Sequence, residues 1–218
     1  MAQLFPPWSN AAARAGLFAI VALPVAALGV AMALPFTPHV TGQDRILAQP
    51  VPFSHEHHVG GLGLDCRYCH TSAAESRFAG LPPTETCMTC HSQLWTNAPM
   101  LAPVRESLAA GRPLHWQRVH NLPGYVYFDH SIHVAKGVGC STCHGDVARM
   151  PLIRQAAPLT MGWCLNCHRD PVPNLRPESA IYDPHWTPPP DQRARGEALI
   201  RHYLIATEHL TDCSVCHR

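Results

Sequence analysis

Ten cysteines occur in this chain, and each belongs to one of five copies of a single pattern, Cys-x-x-Cys-His. The copies are Cys66, Cys69 and His70; Cys87, Cys90 and His91; Cys140, Cys143 and His144; Cys164, Cys167 and His168; and Cys213, Cys216 and His217. A short helical turn brings two thiols at this spacing and the adjacent imidazole to one face. The thiols can form thioether bonds to a porphyrin, and the imidazole can then bind its iron from one side. With 10 cysteines and 16 histidines in 218 residues, chance would produce roughly 0.03 copies. Five copies specify five covalently bound c-type haems, with His70, His91, His144, His168 and His217 as proximal iron ligands.

The competing chemistries of cysteine fit less well. Structural zinc needs four ligands closing on one metal and has no need of a histidine after every second cysteine. Iron–sulfur clusters use a different cysteine rhythm, and a disulfide framework does not involve the histidines. No cysteine is left over for a nucleophile or a disulfide.

An electron-transfer haem also needs a distal ligand, usually His or Met. Eleven histidines lie outside the motifs: His39, His55, His57, His58, His115, His120, His130, His133, His185, His202 and His209. Four of them recur in an internal repeat. Phe53-Ser54-His55-Glu56-His57-His58 precedes the motifs at Cys66 and Cys87, and Phe128-Asp129-His130-Ser131-Ile132-His133 precedes those at Cys140 and Cys164. Both read F-x-H-x-x-H, so His55, His58, His130 and His133 are expected as distal ligands, one of each pair serving its own haem and the other a neighbour. His57 has no counterpart in the second copy and is read as a surface residue. For the fifth iron, His120 is preferred over Met161, which lies three residues before Cys164; His185 and His209 stand behind them.

Around these residues the chain offers little else to build a core. It is 7% aromatic and 14% charged, with 22 prolines breaking regular structure. The expected fold class is mostly irregular with short α-helices, a duplicated two-haem module, and one N-terminal transmembrane helix. Five haems would make up much of the core. A short helix is expected around Val104–Ala110, closed by Gly111, and another from Asp191 to about residue 209. Trp95, Trp116, Trp163 and Trp186 are read as haem packing. No strand pattern is convincing. The formal charge of +1 and the dispersed Lys and Arg exclude a nucleic-acid partner. No nucleotide-binding glycine pattern, phosphate loop or acid/base constellation is present.

The expected organisation is a cytoplasmic N-terminus over residues 1–14, a transmembrane helix over 15–35, a linker over 36–52 and a haem domain over 53–218. Within the last, module 1 covers 53–91, module 2 covers 128–168, and the C-terminal helix and fifth haem cover 191–218. Ala15–Leu34 is twenty residues without a charge, long enough to cross a bilayer and longer than the apolar core of most secretory signals. Arg14 before the span favours a cytoplasmic N-terminus. Haem attachment on the outer side of a bacterial membrane agrees with that orientation, which places the haem domain in the periplasm.

The paired F-x-H-x-x-H elements resemble small multihaem cytochromes of the c3/c7 type. The stretches GGLGLDCRYCHTSA, PPTETCMTCHSQLW, RVHNLPGYVYFDHSIHVAKGVGCSTCHG, PLTMGWCLNCHRDP and DCSVCHR resemble the pentahaem cytochrome c subunit of bacterial alternative complex III. That resemblance implies an electron-transfer subunit of a membrane quinol:electron-acceptor oxidoreductase. Its implied partners are integral quinol-binding subunits, an iron–sulfur subunit, a monohaem cytochrome c and a soluble electron acceptor. Substrate chemistry would belong to those neighbours. The alternative is a membrane-anchored multihaem quinol dehydrogenase feeding a periplasmic reductase. A multihaem reductase of nitrogen or sulfur compounds is disfavoured, since all five motifs end in histidine.

Overall fold

A computed structural model describes residues 4–218 and divides into two compact units, one ending at Gly42 and one running from Gln43 to Arg218. The first unit is mainly one helix, Ser9–Ala33, continued by a 3-10 turn over Leu34–Phe36. It starts six residues before Ala15, because the alanine-rich stretch ahead of Arg14 favours helix and extends it. Of the N-terminal segment expected over 1–14, residues 1–3 lie outside the described residues. No residue of the helix is buried. The 28 residues Ser9–Phe36 rise about 42 Å, more than the roughly 30 Å of a bilayer's hydrocarbon core. From Ala15 onward the helix is uncharged and apolar on all sides, which suits lipid better than a protein surface.

The second unit is built from short helices and turns, and its longest helix, Gln192–His202, has 11 residues. Among the described residues there is no strand; three isolated antiparallel bridges, Ile46 with Arg154, Val126 with His217 and Val138 with Leu175, tie distant segments together. The buried apolar residues are few, Met150, Leu175, Val104 and Ile181 being the most enclosed. The chain exposes 14,696 Å² of surface, whereas a folded protein of 23.9 kDa exposes about 9,900 Å². The unburied helix of the first unit contributes to that excess, and the second unit buries few apolar side chains of its own.

The expected helix near Val104 spans Ala102–Ala110 and ends at Gly111, whose φ of 61° is the left-handed conformation that glycine adopts without a Cβ penalty. The C-terminal helix is shorter than its pattern suggested. It ends at His202, and Leu204 takes a positive φ of 52°, so Thr207–His209 forms a separate 3-10 turn. Asp191 holds Arg195 at 2.8 Å and makes no side-chain cap. Gly196 lets this helix approach closely: a Cβ there would lie 2.3 Å from the Val172 carbonyl oxygen.

The segment expected as a linker over 36–52 is divided. From Gln43 onward it packs on the second unit, with Asp44 donating its backbone N–H to Gln155, Gln43 reaching the Ala156 carbonyl, and Val51 buried.

Candidate haem-binding sites

Both cysteines of each of the five motifs lie on a helix: Cys66–Cys69, Thr84–His91, Cys140–His144, Met161–Arg169 and Cys213–Cys216. Local sequence explains several starts. Asp65 accepts from Arg67 N at the head of the first, and Thr160 accepts from Trp163 N at the head of the fourth, both ordinary N-caps. No two of the ten cysteines are joined in a disulfide.

The two F-x-H-x-x-H elements have the same side-chain geometry. Phe53 stacks on His58 at 4.4 Å and meets His55 edge-on at 4.9 Å; Phe128 stacks on His133 at 4.6 Å and meets His130 edge-on at 4.8 Å. The second histidine of each donates from Nδ1 to the carbonyl four residues back, His58 to Ser54 at 2.8 Å and His133 to Asp129 at 2.6 Å. The backbones differ. His130–Ala135 is an α-helix capped by Asp129, whereas Glu56–Gly61 is a π-helix. Phe53 is one residue farther from its first motif cysteine than Phe128 is from its own. The wider π turn takes up that extra residue and leaves the Phe–His arrangement intact. Gly60 allows this turn to lie against Ala148, since a Cβ would sit 2.3 Å from the Ala148 carbonyl oxygen.

Three of these histidines face a motif histidine. Ring centres are 6.2 Å apart for His58 and His91, 6.2 Å for His133 and His168, and 6.3 Å for His130 and His144. Two imidazoles holding one metal between them, with nitrogen–metal bonds of about 2.0 Å, have ring centres roughly 6.3 Å apart. Among the described residues no three His, Cys, Asp or Glu side chains converge on one point as a protein-only metal site requires. The histidines meet in pairs, as two axial ligands do.

Ring orientation is controlled from behind. His70 donates from Nδ1 to Gly80 O at 2.8 Å, His91 to Leu94 O at 3.2 Å, His130 to Arg77 O at 2.7 Å, His168 to Leu210 O at 2.7 Å and His217 to Tyr125 O at 3.2 Å. With Nδ1 protonated and held by a carbonyl, Nε2 carries the free lone pair that binds a metal. Two buried nitrogens, His55 Nδ1 and His120 Nε2, have no partner.

His55, His70, His120, His130 and His144 form one electrostatic cluster. Burial, then the neighbouring imidazoles beginning with His70, lowers the pKa of His55 to about 4. Burial first, then His120 and His130, lowers that of His144 to about 3. Burial also lowers His120 and His133. These rings are held neutral, the form that binds iron. The ring separations, the pinned Nδ1 atoms and the neutral imidazoles together fit haem.

The motifs also have an order in space. Cys66 and Cys140 are electrostatic neighbours. Cys69 is an electrostatic neighbour of Cys87, Cys143 of Cys167, and Cys164 of Cys216. The attachment points therefore follow one another as second, first, third, fourth and fifth motif.

The two candidates for the fifth distal position are placed differently. His120 meets His144 edge-on at 4.3 Å, too close for a metal between them, and sits with the first and third motifs. Met161 opens the helix that carries Cys164, the neighbour of Cys216, and is 62% exposed. His57 is exposed and meets His58 edge-on. Sequence reasoning missed the orienting role of Phe53 and Phe128, although both are part of the repeat. The Trp186 ring, expected to pack on haem, covers the Arg176 guanidinium at 4.3 Å.

Residues 126–218 match the family model of cytochrome c7 and related cytochrome c. The C-terminal part of the chain is thus similar to multihaem cytochromes of the c7 type, a likeness that implies covalently bound haem c. A curated relative from Nitratidesulfovibrio vulgaris, "Menaquinone reductase, multiheme cytochrome c subunit", is 35% identical over 111 residues, covering 46% of this chain and 53% of that protein. The chain spans about half the length of this relative.

Proposed function

We propose that the chain is a single-pass, membrane-anchored electron-transfer subunit of a quinone-linked oxidoreductase, and specifically of the alternative complex III type. It would carry five haems c on the periplasmic side. The observation that carries this reading is the set of facing imidazole pairs, which would close the irons on both sides and leave no position for a substrate. Bound haem c supplies a one-electron iron couple. His58 and His91, His133 and His168, and His130 and His144 would hold three of the irons. By the repeat, His55 is the partner of His70. The fifth position falls to His120 or Met161, and the electrostatic proximity of Cys164 and Cys216 favours Met161.

The polypeptide's part is to orient and enclose. Backbone carbonyls fix the ring tautomers, Phe53 and Phe128 hold the second histidine of each pair, and the cysteine order sets an unbranched row of attachment points. Quinone chemistry is assigned to integral partner subunits, with an iron–sulfur subunit, a monohaem cytochrome and a soluble carrier as the remaining partners. Similarity to a menaquinone reductase subunit favours a second reading of direction, in which electrons run from the periplasm toward menaquinone.

Two measurements test the proposal. Reduced full-length protein should not bind carbon monoxide at the four repeat-ligated haems. A menaquinol analogue should reduce the haems in the native complex and not in the isolated chain; quinol oxidation by the isolated chain would overturn the subunit reading in favour of a self-sufficient quinol dehydrogenase.

A further inference from the structure

Arg176 is 3% exposed and lies under the third haem-attachment motif. Its guanidinium donates from Nη2 to Ser141 Oγ at 2.7 Å and Thr142 Oγ1 at 3.4 Å, the two residues between Cys140 and Cys143. Nη1 donates to the Asp183 carbonyl at 3.2 Å, and the Trp186 ring covers the group at 4.3 Å. Nε is buried and has no partner. Among the described residues, no carboxylate lies within ion-pairing distance of this cation.

The surrounding backbone is shaped to hold it. A Cβ at Gly139, the residue before Cys140, would lie 2.3 Å from Arg176 Cζ and Nε, so only glycine leaves room for the guanidinium. Arg176 N donates to Gly137 O at 2.8 Å, and Tyr203 donates its hydroxyl to Arg176 O at 2.9 Å. Cys140, the Asp183 carboxylate and Cys143 are its electrostatic neighbours, Asp183 lying beyond ion-pairing distance, and Cys140 neighbours Cys66 of the first motif. A buried cation without a carboxylate is costly, and its hydrogen bonds and aromatic cover offset only part of that cost. A purely packing role would be filled better by an apolar side chain of similar volume.

We propose that Arg176 is a potential-setting residue: its fixed positive charge raises the reduction potential of the haem attached at Cys140 and Cys143. This rests on the haem reading of that motif. Reduction adds an electron to the haem, and a nearby buried cation stabilises the more negative state. In the row of attachment points this haem is the central one, so the charge would make the middle of the row an electron sink.

The test uses full-length, haem-loaded protein in membranes or detergent, with spectroelectrochemical titration of wild type, Arg176→Gln and Arg176→Lys. Haem content is measured in parallel, so failure of the haem reading appears as a missing haem and failure of this inference as an unmoved potential. Arg176→Gln should lower one titration component by enough to change its reduced-to-oxidised ratio roughly tenfold, about 59 mV for one electron. Arg176→Lys should keep most of the wild-type value. If Arg176→Gln does not mature, Ser141→Asp, which sets a carboxylate beside the guanidinium, should shift the same component downward. Unchanged components at full haem content overturn the proposal, as does loss of the third haem from both variants, which would make the role structural.

Discussion

His133 and His168 face each other with ring centres 6.2 Å apart, although they belong to different segments and each donates its Nδ1 proton to a backbone carbonyl. His58 and His91 repeat the relationship at 6.2 Å in the first module. The second histidine of each F-x-H-x-x-H element thus lies opposite the histidine of the second motif of its module, and His130, the first histidine of its element, lies opposite His144 of the first motif.

Replacing a distal histidine should therefore open one iron and no more. His133→Ala is expected to convert one of the haems to a high-spin ferric form that binds carbon monoxide when reduced, with the others unchanged. Electron paramagnetic resonance of the oxidised protein checks this; an unaltered low-spin spectrum would remove His133 from the ligand set.

Phe128 acts on the same haem through His133. Phe128→Leu should retain every haem and broaden the low-spin signal of one, because the imidazole loses the ring stacked against it at 4.6 Å. Loss of an aromatic pair of this kind costs about 1 kcal/mol, readable in chemical unfolding. A spectrum identical to wild type would show that the carbonyl of Asp129 suffices to orient the ring.

Gly60→Ala should destabilise the first module. Its Cβ would meet the Ala148 carbonyl oxygen at 2.3 Å, and crowding against backbone costs about 1–3 kcal/mol. The equivalent position in the second copy, seven residues after Phe128, is already alanine, Ala135. Thermal unfolding of the haem-loaded protein measures the difference.

The fifth distal position separates two variants. Met161→Ala should abolish any far-red ferric band characteristic of methionine ligation and open the fifth haem, while His120→Ala should leave the ligand count unchanged. The reverse result would return the fifth position to His120.

The attachment chemistry was legible because Cys-x-x-Cys-His is a local code, with every atom it needs within five residues. The repeat was legible for the same reason, and three of its four histidines, His58, His130 and His133, lie opposite motif histidines. What could not be read depended on distant segments. The ending of the C-terminal helix at His202 and its docking through Gly196 on Val172 involve a contact more than twenty residues away. The packing of residues 43–52 on Gln155 and Ala156 spans more than a hundred residues. Arg176 looks like an ordinary charged residue in the chain and becomes unusual only when Gly139, Ser141 and Trp186 close around it. The preference for His120 as fifth ligand rested on a count of spare histidines, and the placement of its ring beside His144 came from a fold the count did not contain.

The account stands on haem occupying all five motifs. The intact mass of the mature full-length chain, matured with the cytochrome c assembly machinery, tests this most directly. Five haem additions per chain are predicted, with no free thiol remaining to an alkylating reagent. A mature protein carrying fewer than five, with alkylatable cysteines at the empty motif, would contradict it.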